Sequence, residues 1–267
     1  MTVDVCGNEL EYDFKVDEHA SERHVVIKSG RGAKGDLVIP AMIDGCPVVE
    51  IGDFSFFCCS GLTSVEIPYG VMDIGHLAFR NCTGLASAVI PDSVKRIEHR
   101  AFDGCTGLAS VTIGKGVAIG SEAFRGCRKL SDMTIHGNVT ELGLYAFAGC
   151  DKLADHNGFF VQGGVLYAYF GGGGEISIPD GVTRIAPYVF YGRRDLASIT
   201  FPASLTSIGH QSFGCCHGLK QVVIPASVTG IEQGAFASCI GLEKADVPVR
   251  AIIGCGAFDG AATIVRY

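Results

Sequence analysis

Seven cysteines stand at one fixed position relative to a phenylalanine and a leucine, and thiols in such a series could form disulfides or bind a metal ion. Each follows a phenylalanine by three residues and precedes a leucine by three. We call the seven the cysteine ladder: Cys59, Cys82, Cys105, Cys127, Cys150, Cys216 and Cys239. Identical positions of stacked units aim their side chains in parallel, which disfavours disulfides even at Cα separations of ~5.5 Å. No Cys-x-x-Cys pair with zinc spacing occurs, so the ladder is predicted to hold buried thiols packed as small apolar groups.

Other residues that could do chemistry do not form a catalytic or metal-binding motif. His76 and His99 share one repeat position beside Glu98, but such a set on a turn is more often solvated than bound to a metal. The Gly171 to Gly174 run is not followed by Lys-Ser/Thr, as a phosphate loop would be. We therefore predict no catalytic residue, no metal site and no cofactor. A hydrolase hidden in the segment that interrupts the repeats is the remaining enzymatic alternative.

The leucines of these units define a regular period. From Leu62 to Leu153 they are 23, 23, 22 and 23 residues apart, then 43, and from Leu196 onward 23 and 23 again. A fixed period in this range is the signature of a solenoid, in which each turn must stack on its neighbours to bury its apolar face. The predicted function is correspondingly that of a binding or scaffolding surface.

Each repeat contains two apolar segments and one turn. In the repeat that begins at Leu85 the segments are Leu85-x-x-Ala88-x-Ile90-Pro91 and Val94-x-x-Ile97, and the turn holds Ala101, Phe102 and Cys105. Alternate inward residues predict a short strand in the first segment, which proline ends. The second segment predicts an extended stretch on the opposite wall. The fold class is therefore a mainly β repeat solenoid, with short helical or irregular turns and a parallel sheet on one wall.

The chain is predicted to have two parts. Residues 1–36 have no period, and their alternating apolar positions predict antiparallel strands that form an N-terminal β cap on the first coil. Residues 37–267 form the solenoid, with a hairpin inserted at about 154–175 around a Gly163-Gly164 turn. Within the solenoid, Arg193 and Ala261 replace the ladder cysteine.

Charge and hydropathy exclude several classes of partner. The 267 residues carry a net charge of -7 without any Lys/Arg run, which argues against binding to nucleic acid or to anionic membranes. No apolar stretch reaches the ~20 residues of a spanning helix, so we predict no membrane insertion. The first residues also lack the basic and apolar regions of a signal peptide. We expect a monomer.

The repeat resembles that of the BspA-like leucine-rich repeat family, bacterial surface antigen type repeats of about 23 residues. The likeness is carried by the unit Leu-x-x-Val-x-Ile-Pro-x-x-Val-x-x-Ile-Gly-x-x-Ala-Phe-x-x-Cys and by the lead-in from Leu37 through Gly52. It covers residues 37 to 260. The resemblance implies a right-handed leucine-rich-repeat superhelix, often part of bacterial surface proteins that bind extracellular matrix or other host proteins or that mediate coaggregation. It implies no shared catalytic residues, and a cell-surface or secreted location.

Two groups of residues are predicted to bind a ligand. The outward side chains of the leucine-bearing strands include Glu66, Thr112, Asp132, Thr134 and Thr200. The hairpin contributes Phe159, Phe160, Tyr167, Tyr169 and Phe170, which fall on both alternation faces, so that either the solenoid or a partner could cover them. We interpret the protein as a non-catalytic adhesin-type module for a protein or glycan. The alternative is a scaffold segment of a larger surface protein with no ligand of its own.

Overall fold

The computed structural model describes residues 1–16, 22–258 and 262–267 and confirms a β-solenoid of leucine-rich-repeat type. Ala261, predicted to replace a ladder cysteine, lies outside the described residues. The chain divides into two compact units, residues 1–153 and 154–267. The division of the sequence into a cap at 1–36 and a solenoid at 37–267 remains a prediction.

The first unit has two walls of parallel strands. Its strands are β1 (Thr2–Val5), β2 (Asn8–Val16), β3 (Arg23–Ser29), β4 (Lys34–Val38), β5 (Met42–Ile43), β6 (Cys46–Ile51), β7 (Gly61–Glu66), β8 (Asp73–Ile74), β9 (Ser87–Ile90), β10 (Arg96–Ile97), β11 (Ser110–Ile113), β12 (Ala118–Ile119), β13 (Asp132–Ile135) and β14 (Glu141–Leu142). The strands of the first apolar segments form the first wall, in the order β13-β11-β9-β7-β4, and β9, β11 and β13 begin just after the repeat leucine. The second apolar segments form the second wall, in the order β6-β8-β10-β12-β14.

The N-terminal strands extend the second wall. β1, β2 and β3 pair antiparallel, as the alternating pattern predicts, and β3 then pairs parallel with β6. The coil that is one residue short also keeps its register, because Ala118 and Ile119 pair with Arg96 and Ile97 on one side and with Glu141 and Leu142 on the other. The missing residue is therefore absorbed in the bend before β12.

The second unit repeats the arrangement and begins with the predicted hairpin. A 3₁₀ turn, Asp151–Leu153, ends the first unit, and the strands of the second are β15 (Phe159–Gln162), β16 (Val165–Tyr169), β17 (Gly174–Ser177), β18 (Arg184–Ile185), β19 (Leu196–Thr200), β20 (Ser207–Ile208), β21 (Gln221–Val223), β22 (Gly230–Ile231), β23 (Lys244–Val247), β24 (Ile252–Ile253) and β25 (Thr263–Arg266). The second wall has the order β15-β16-β18-β20-β22-β24. β17 pairs with β19, and β21, β23 and β25 form a further parallel sheet.

The turn of each coil is held by stacked rings and by hydrogen bonds between coils. In the first unit the rings of Phe79 and Phe102 are 5.0 Å apart and nearly parallel, and the same stack recurs in the second unit between Phe213 and Phe236 at 4.9 Å. Phe79 N–H donates to Ala101 O of the next coil. Cys105 Sγ donates to Phe79 O of the preceding coil at 3.0 Å. The ring and the thiol therefore form one core column, whose polar groups are satisfied within it.

This turn requires a left-handed backbone at residues that are not glycine. Phe54, Leu77, Arg100, Glu122 and Tyr145 occupy one repeat position and have φ between 55° and 58°. The conformation is fixed by the bonds to the next coil, such as Phe54 N–H to His76 O and Phe56 N–H to Ala78 O. Side chains at this position are exposed or half-buried, so residues of different type and charge occupy it.

Candidate functional site

The first wall of the first unit presents its predicted binding residues in aligned columns. Glu66, Val89, Thr112 and Thr134 are successive partners across β7, β9, β11 and β13. Ser64, Ser87, Ser110 and Asp132 form the neighbouring column. Glu66, Val89 and Asp132 are exposed, whereas Thr112 and Thr134 are half-buried. We call these two columns the strand face.

The start of the strand face carries a fixed negative charge. Asp36 Oδ1 accepts hydrogen bonds from Thr63 Oγ1 at 2.8 Å and from Ser64 Oγ at 2.5 Å. Because these bonds stabilise the carboxylate, they hold the pKa of Asp36 below its usual range. Together with Glu66, Asp36 makes this end of the strand face acidic at neutral pH.

The second unit presents a similar wall around Thr200. Thr200 is exposed on β19, in register with Ser177 of β17. A shallow cavity of about 450 Å³ is lined there by Ser198, Thr200, Phe201, Gln221 and Val223 among others. The Phe201 ring packs edge-on against the buried Phe213 at 5.7 Å and is itself half-buried. This cavity combines hydroxyl and amide groups with apolar carbon.

The hairpin aromatics pack mainly into the second unit. Phe159, Phe160 and Tyr167 are buried, and Tyr169 and Phe170 are half-buried. The register passes from Phe160↔Ala168 to Val161↔Leu166, a β-bulge that includes Tyr167. The bulge changes the alternation, so the adjacent Leu166 and Tyr167 are both buried. Of the two open alternatives, the packing favours cover by the protein itself.

Arg193 explains one departure from the repeat. It replaces the ladder cysteine where the preceding segment is the hairpin, and its guanidinium lies 5.2 Å from the centre of the Tyr169 ring. It also donates to Gly171 O at 2.7 Å. Tyr169 in turn contacts Phe190 at 5.3 Å and Phe159 at 4.8 Å. Arg193 therefore connects the hairpin to the first regular coil of the second unit. Its position in the repeat did not predict this role.

A second cavity joins the hairpin to the strand wall of the second unit. It measures about 460 Å³ and is lined by Asn157, Phe159, Tyr169, Glu175, Ser177 and Asp180 among others. Glu175 and Asp180 are exposed, so its rim is acidic. Two of the predicted hairpin residues thus lie beside β17, which pairs with the strand that carries Thr200.

The thiols and imidazoles lie where the repeat predicted them. All twelve cysteines are free, and the seven of the ladder are buried, as predicted. Contact with Cys82, the next thiol of the ladder, raises the pKa of Cys59, and burial raises it further. Contact with Cys239 and burial raise the pKa of Cys216 in the same way. The rings of His76 and His99 lie 6.4 Å apart, and His76 is 3.8 Å from Glu98. Within 1–16, 22–258 and 262–267, no three His, Cys, Asp or Glu side chains are grouped so as to hold a metal ion.

Two residues with exposed rings were not predicted from the sequence. Phe54 and Phe57 flank the repeat phenylalanine Phe56 and leave 56% and 38% of their surface exposed. The sequence does distinguish this repeat, because most other repeats do not have aromatic residues at both positions. The repeat with Tyr188 and Tyr191 also has them. They lie in the first unit, close to β2 and β3.

The fold and these surfaces define a leucine-rich-repeat protein with accessible sheet walls. The chain belongs to the BspA type leucine rich repeat family, which it matches with six copies over residues 45–157 and 170–265. Comparison with curated proteins gives no match. Among the described residues, no helix is long and apolar enough to cross a membrane.

Solved structures of bacterial leucine-rich repeat proteins are similar to the chain. A leucine-rich repeat protein of T. pallidum is 28% identical, with 78% of this chain and 87% of that chain covered and a TM-score of 0.54. A protein of Bacteroides capillosus is 26% identical over 51% of this chain and 98% of that one, with a TM-score of 0.41. A leucine rich cell surface protein of Faecalibacterium prausnitzii is 24% identical over 99% and 94%, with a TM-score of 0.39.

Proposed function

We propose that this protein is a non-catalytic interaction module that binds a protein or glycan ligand through its strand walls. The observation that carries the proposal is the continuous register of accessible side chains on the first wall, from Glu66 through Val89 and Thr112 to Thr134. Parallel strands hold such columns at a spacing of ~4.8 Å. A ligand that contacts several strands therefore meets a rigid surface and orders few protein groups on binding.

The second unit adds a distinct contact area to this proposal. Thr200 and the cavity beside it offer hydroxyl and apolar groups, and the hairpin cavity offers the rings of Phe159 and Tyr169 with the carboxylates of Glu175 and Asp180. Phe160 and Tyr167 are buried and are not among the residues that line this cavity, so in this proposal they stabilise the hairpin and do not contact the ligand. Family membership favours a cell-surface or secreted location and a ligand outside the cell.

The test compares the two walls with matched substitutions. The strand-face variant Glu66→Arg/Thr134→Arg places bulky cations on the first wall, whereas Glu141→Arg/Thr140→Arg makes the same changes at exposed positions at and beside β14 of the second wall. Labelled protein is applied to a glycan array and to a panel of purified extracellular-matrix proteins. The ligand found for the wild type should lose at least about tenfold in affinity with the strand-face variant, which corresponds to ~1.4 kcal/mol.

The control variant decides how a loss of binding is interpreted. Glu141→Arg/Thr140→Arg should bind as the wild type does, and circular dichroism should be the same for all three proteins. Equal loss in both variants would contradict a role for the first wall. Absence of binding above background by the wild type would instead favour a scaffold segment without a ligand of its own.

A further inference from the structure

A cavity in the first unit lies apart from the strand face. It measures about 870 Å³ and is lined by Glu11, Lys28, Ser29, Arg31, Gly32, Phe54, Ser55, Phe57 and Cys58. These residues come from β2, β3, the loop after β3 and the turn of the first coil. The volume lies within the ~300–1,000 Å³ typical of small-molecule sites.

One side of this cavity is formed by two exposed aromatic rings. The rings of Phe54 and Phe57 are 6.0 Å apart at an interplanar angle of 60°, and both are accessible to solvent. Ring faces carry partial negative charge and attract polarised C–H groups and cations. The Arg80 guanidinium already lies 5.9 Å from the centre of the Phe57 ring. Phe54 is thus the ring more available to a ligand.

The lining also includes two cations that form no ion pair with another described residue. Lys28 and Arg31 are exposed, and neither belongs to any ion pair among the described residues. Glu11 is the single acidic residue of the lining. In a chain with a net charge of -7, this is a local excess of positive charge. Guanidinium and ammonium groups beside a cavity favour a carboxylate, which arginine can bind with two parallel hydrogen bonds.

The strands beside the cavity do not favour an extended peptide as the ligand. β2 is already paired with β1 and β3, and β3 with β2 and β6. Glu11, the residue of β2 that lines the cavity, pairs with Thr2 of β1 on one side and with Ser29 of β3 on the other. At the cavity β2 therefore has no free edge on which a peptide could add a further strand, which is a common mode of binding extended segments. A compact ligand that fills the cavity with its own ring fits this arrangement better.

We infer that this cavity binds a carboxylated sugar residue, with the apolar C–H face of its ring on Phe54 and Phe57 and its carboxylate at Lys28 and Arg31. The hydroxyl of Ser29 and the open backbone around Gly32 face the polar edge of the sugar. Gly32 suits the position because its φ is +83° and no atom lies within 4 Å of where a Cβ would stand. The inference is independent of the strand face, so either one can fail without the other.

The inference is tested by NMR titration of the full chain with N-acetylneuraminic acid and methyl glucuronide, against N-acetylglucosamine and methyl glucoside as neutral sugars. The carboxylated sugars should shift the amide signals of Ser29, Gly32, Phe54 and Phe57, and the neutral sugars should bind at least about tenfold more weakly. Lys28→Ala/Arg31→Ala should remove the difference between the two classes. Phe54→Ala should weaken both classes.

Matched controls separate the cavity from general effects of charge and surface. Tyr145→Ala alters an exposed ring at the same repeat position as Phe54 and with the same φ of 58°, and Arg128→Ala removes an exposed cation elsewhere in the unit. Both should bind as the wild type does. Equal affinity for neutral and carboxylated sugars would overturn the inference, as would tighter binding of the acidic peptide N-acetyl-Asp-Phe-amide. Binding of the carboxylated sugars by Lys28→Ala/Arg31→Ala with the affinity of the wild type would also overturn it.

Discussion

Phe102 illustrates how a single residue stabilises neighbouring coils. Its ring is fully buried between Phe79 at 5.0 Å and Phe124 at 5.2 Å. Phe102→Ala should lower the free energy of unfolding by ~3–5 kcal/mol, because it removes apolar contacts on both sides and leaves a cavity that the rigid stack cannot close. Urea denaturation measures the loss. Tyr145→Ala, which removes an exposed ring in the same unit, should change stability by less than about 0.5 kcal/mol, and equal effects of the two would contradict the stack.

At the scale of residues, the sequence predicts the core but not the backbone. Leucine, phenylalanine and cysteine recur because their positions face inward, so their burial could be predicted from the period. The left-handed positions could not, because Phe54, Arg100 and Glu122 share no side-chain property that indicates a positive φ. Hydrogen bonds to the next coil impose that conformation, and those bonds exist only after the coils have stacked. The exposed rings of Phe54 and Phe57 could not be predicted from the period, because residue type at these two positions differs from repeat to repeat.

The hairpin is the element whose packing could least be predicted from the sequence. Gly163-Gly164 predicts its turn, but its aromatics fall on both alternation faces, so the sequence alone left their cover open. The bulge at Tyr167, the pairing of β16 with β18 and the position of Arg193 are tertiary features. In the structure three of the five aromatics are buried, and Tyr169 and Phe170 are half-buried. By contrast, the register of the strand face follows from the nearly constant length of the repeat, so the sequence indicates which residues share a column. That these residues bind a ligand remains a prediction.

Replacement of residues 159–170 with a short Gly/Ser linker should therefore destabilise the second unit. The change removes the buried Phe159 and Leu166 and uncovers Phe190, so we expect a loss of more than ~3 kcal/mol. Hydrogen exchange should show that protection falls first at Ala186, whose N–H donates to Leu166 O of the hairpin at 2.9 Å. Val161→Ala, at an exposed position of the same hairpin, should leave exchange unchanged. Unaltered protection at Ala186 after replacement would mean that the hairpin is not part of the core.

The cysteine ladder links the stability of the whole molecule to alkaline pH. Contact with neighbouring thiols and burial raise the pKa of Cys59, Cys82, Cys127 and Cys216 in the folded state. The unfolded chain loses these protons near pH ~8.5, whereas the folded chain keeps them, so stability is complete below that pH and falls as pH rises above it. Each such thiol should contribute a slope of up to ~1.4 kcal/mol per pH unit.

Urea denaturation of reduced protein between pH 7.5 and 10 measures this slope. Cys82→Ala should lower the stability at neutral pH but make the alkaline slope shallower, because one proton fewer is lost on unfolding. Cys6→Ala removes an exposed thiol and serves as the control, with an unchanged slope expected. A slope that is the same in Cys82→Ala and the wild type would show that the ladder does not carry the pH dependence.

Because successive coils contact one another through the same residue types, the gene for this protein can gain or lose whole repeats. Cys82-Thr83-Gly84-Leu85-Ala86-Ser87 and Cys105-Thr106-Gly107-Leu108-Ala109-Ser110 are identical in residue type, 23 residues apart. Unequal crossing-over between these two stretches would delete or duplicate one coil and leave the junction sequence intact. After the deletion, which removes Phe102, Phe79 would stack on Phe124 as it now stacks on Phe102. Cys127 would then donate to Phe79 O in place of Phe102 O. Recombination can therefore lengthen or shorten the strand face by one strand at a time, and the core contacts between coils stay the same.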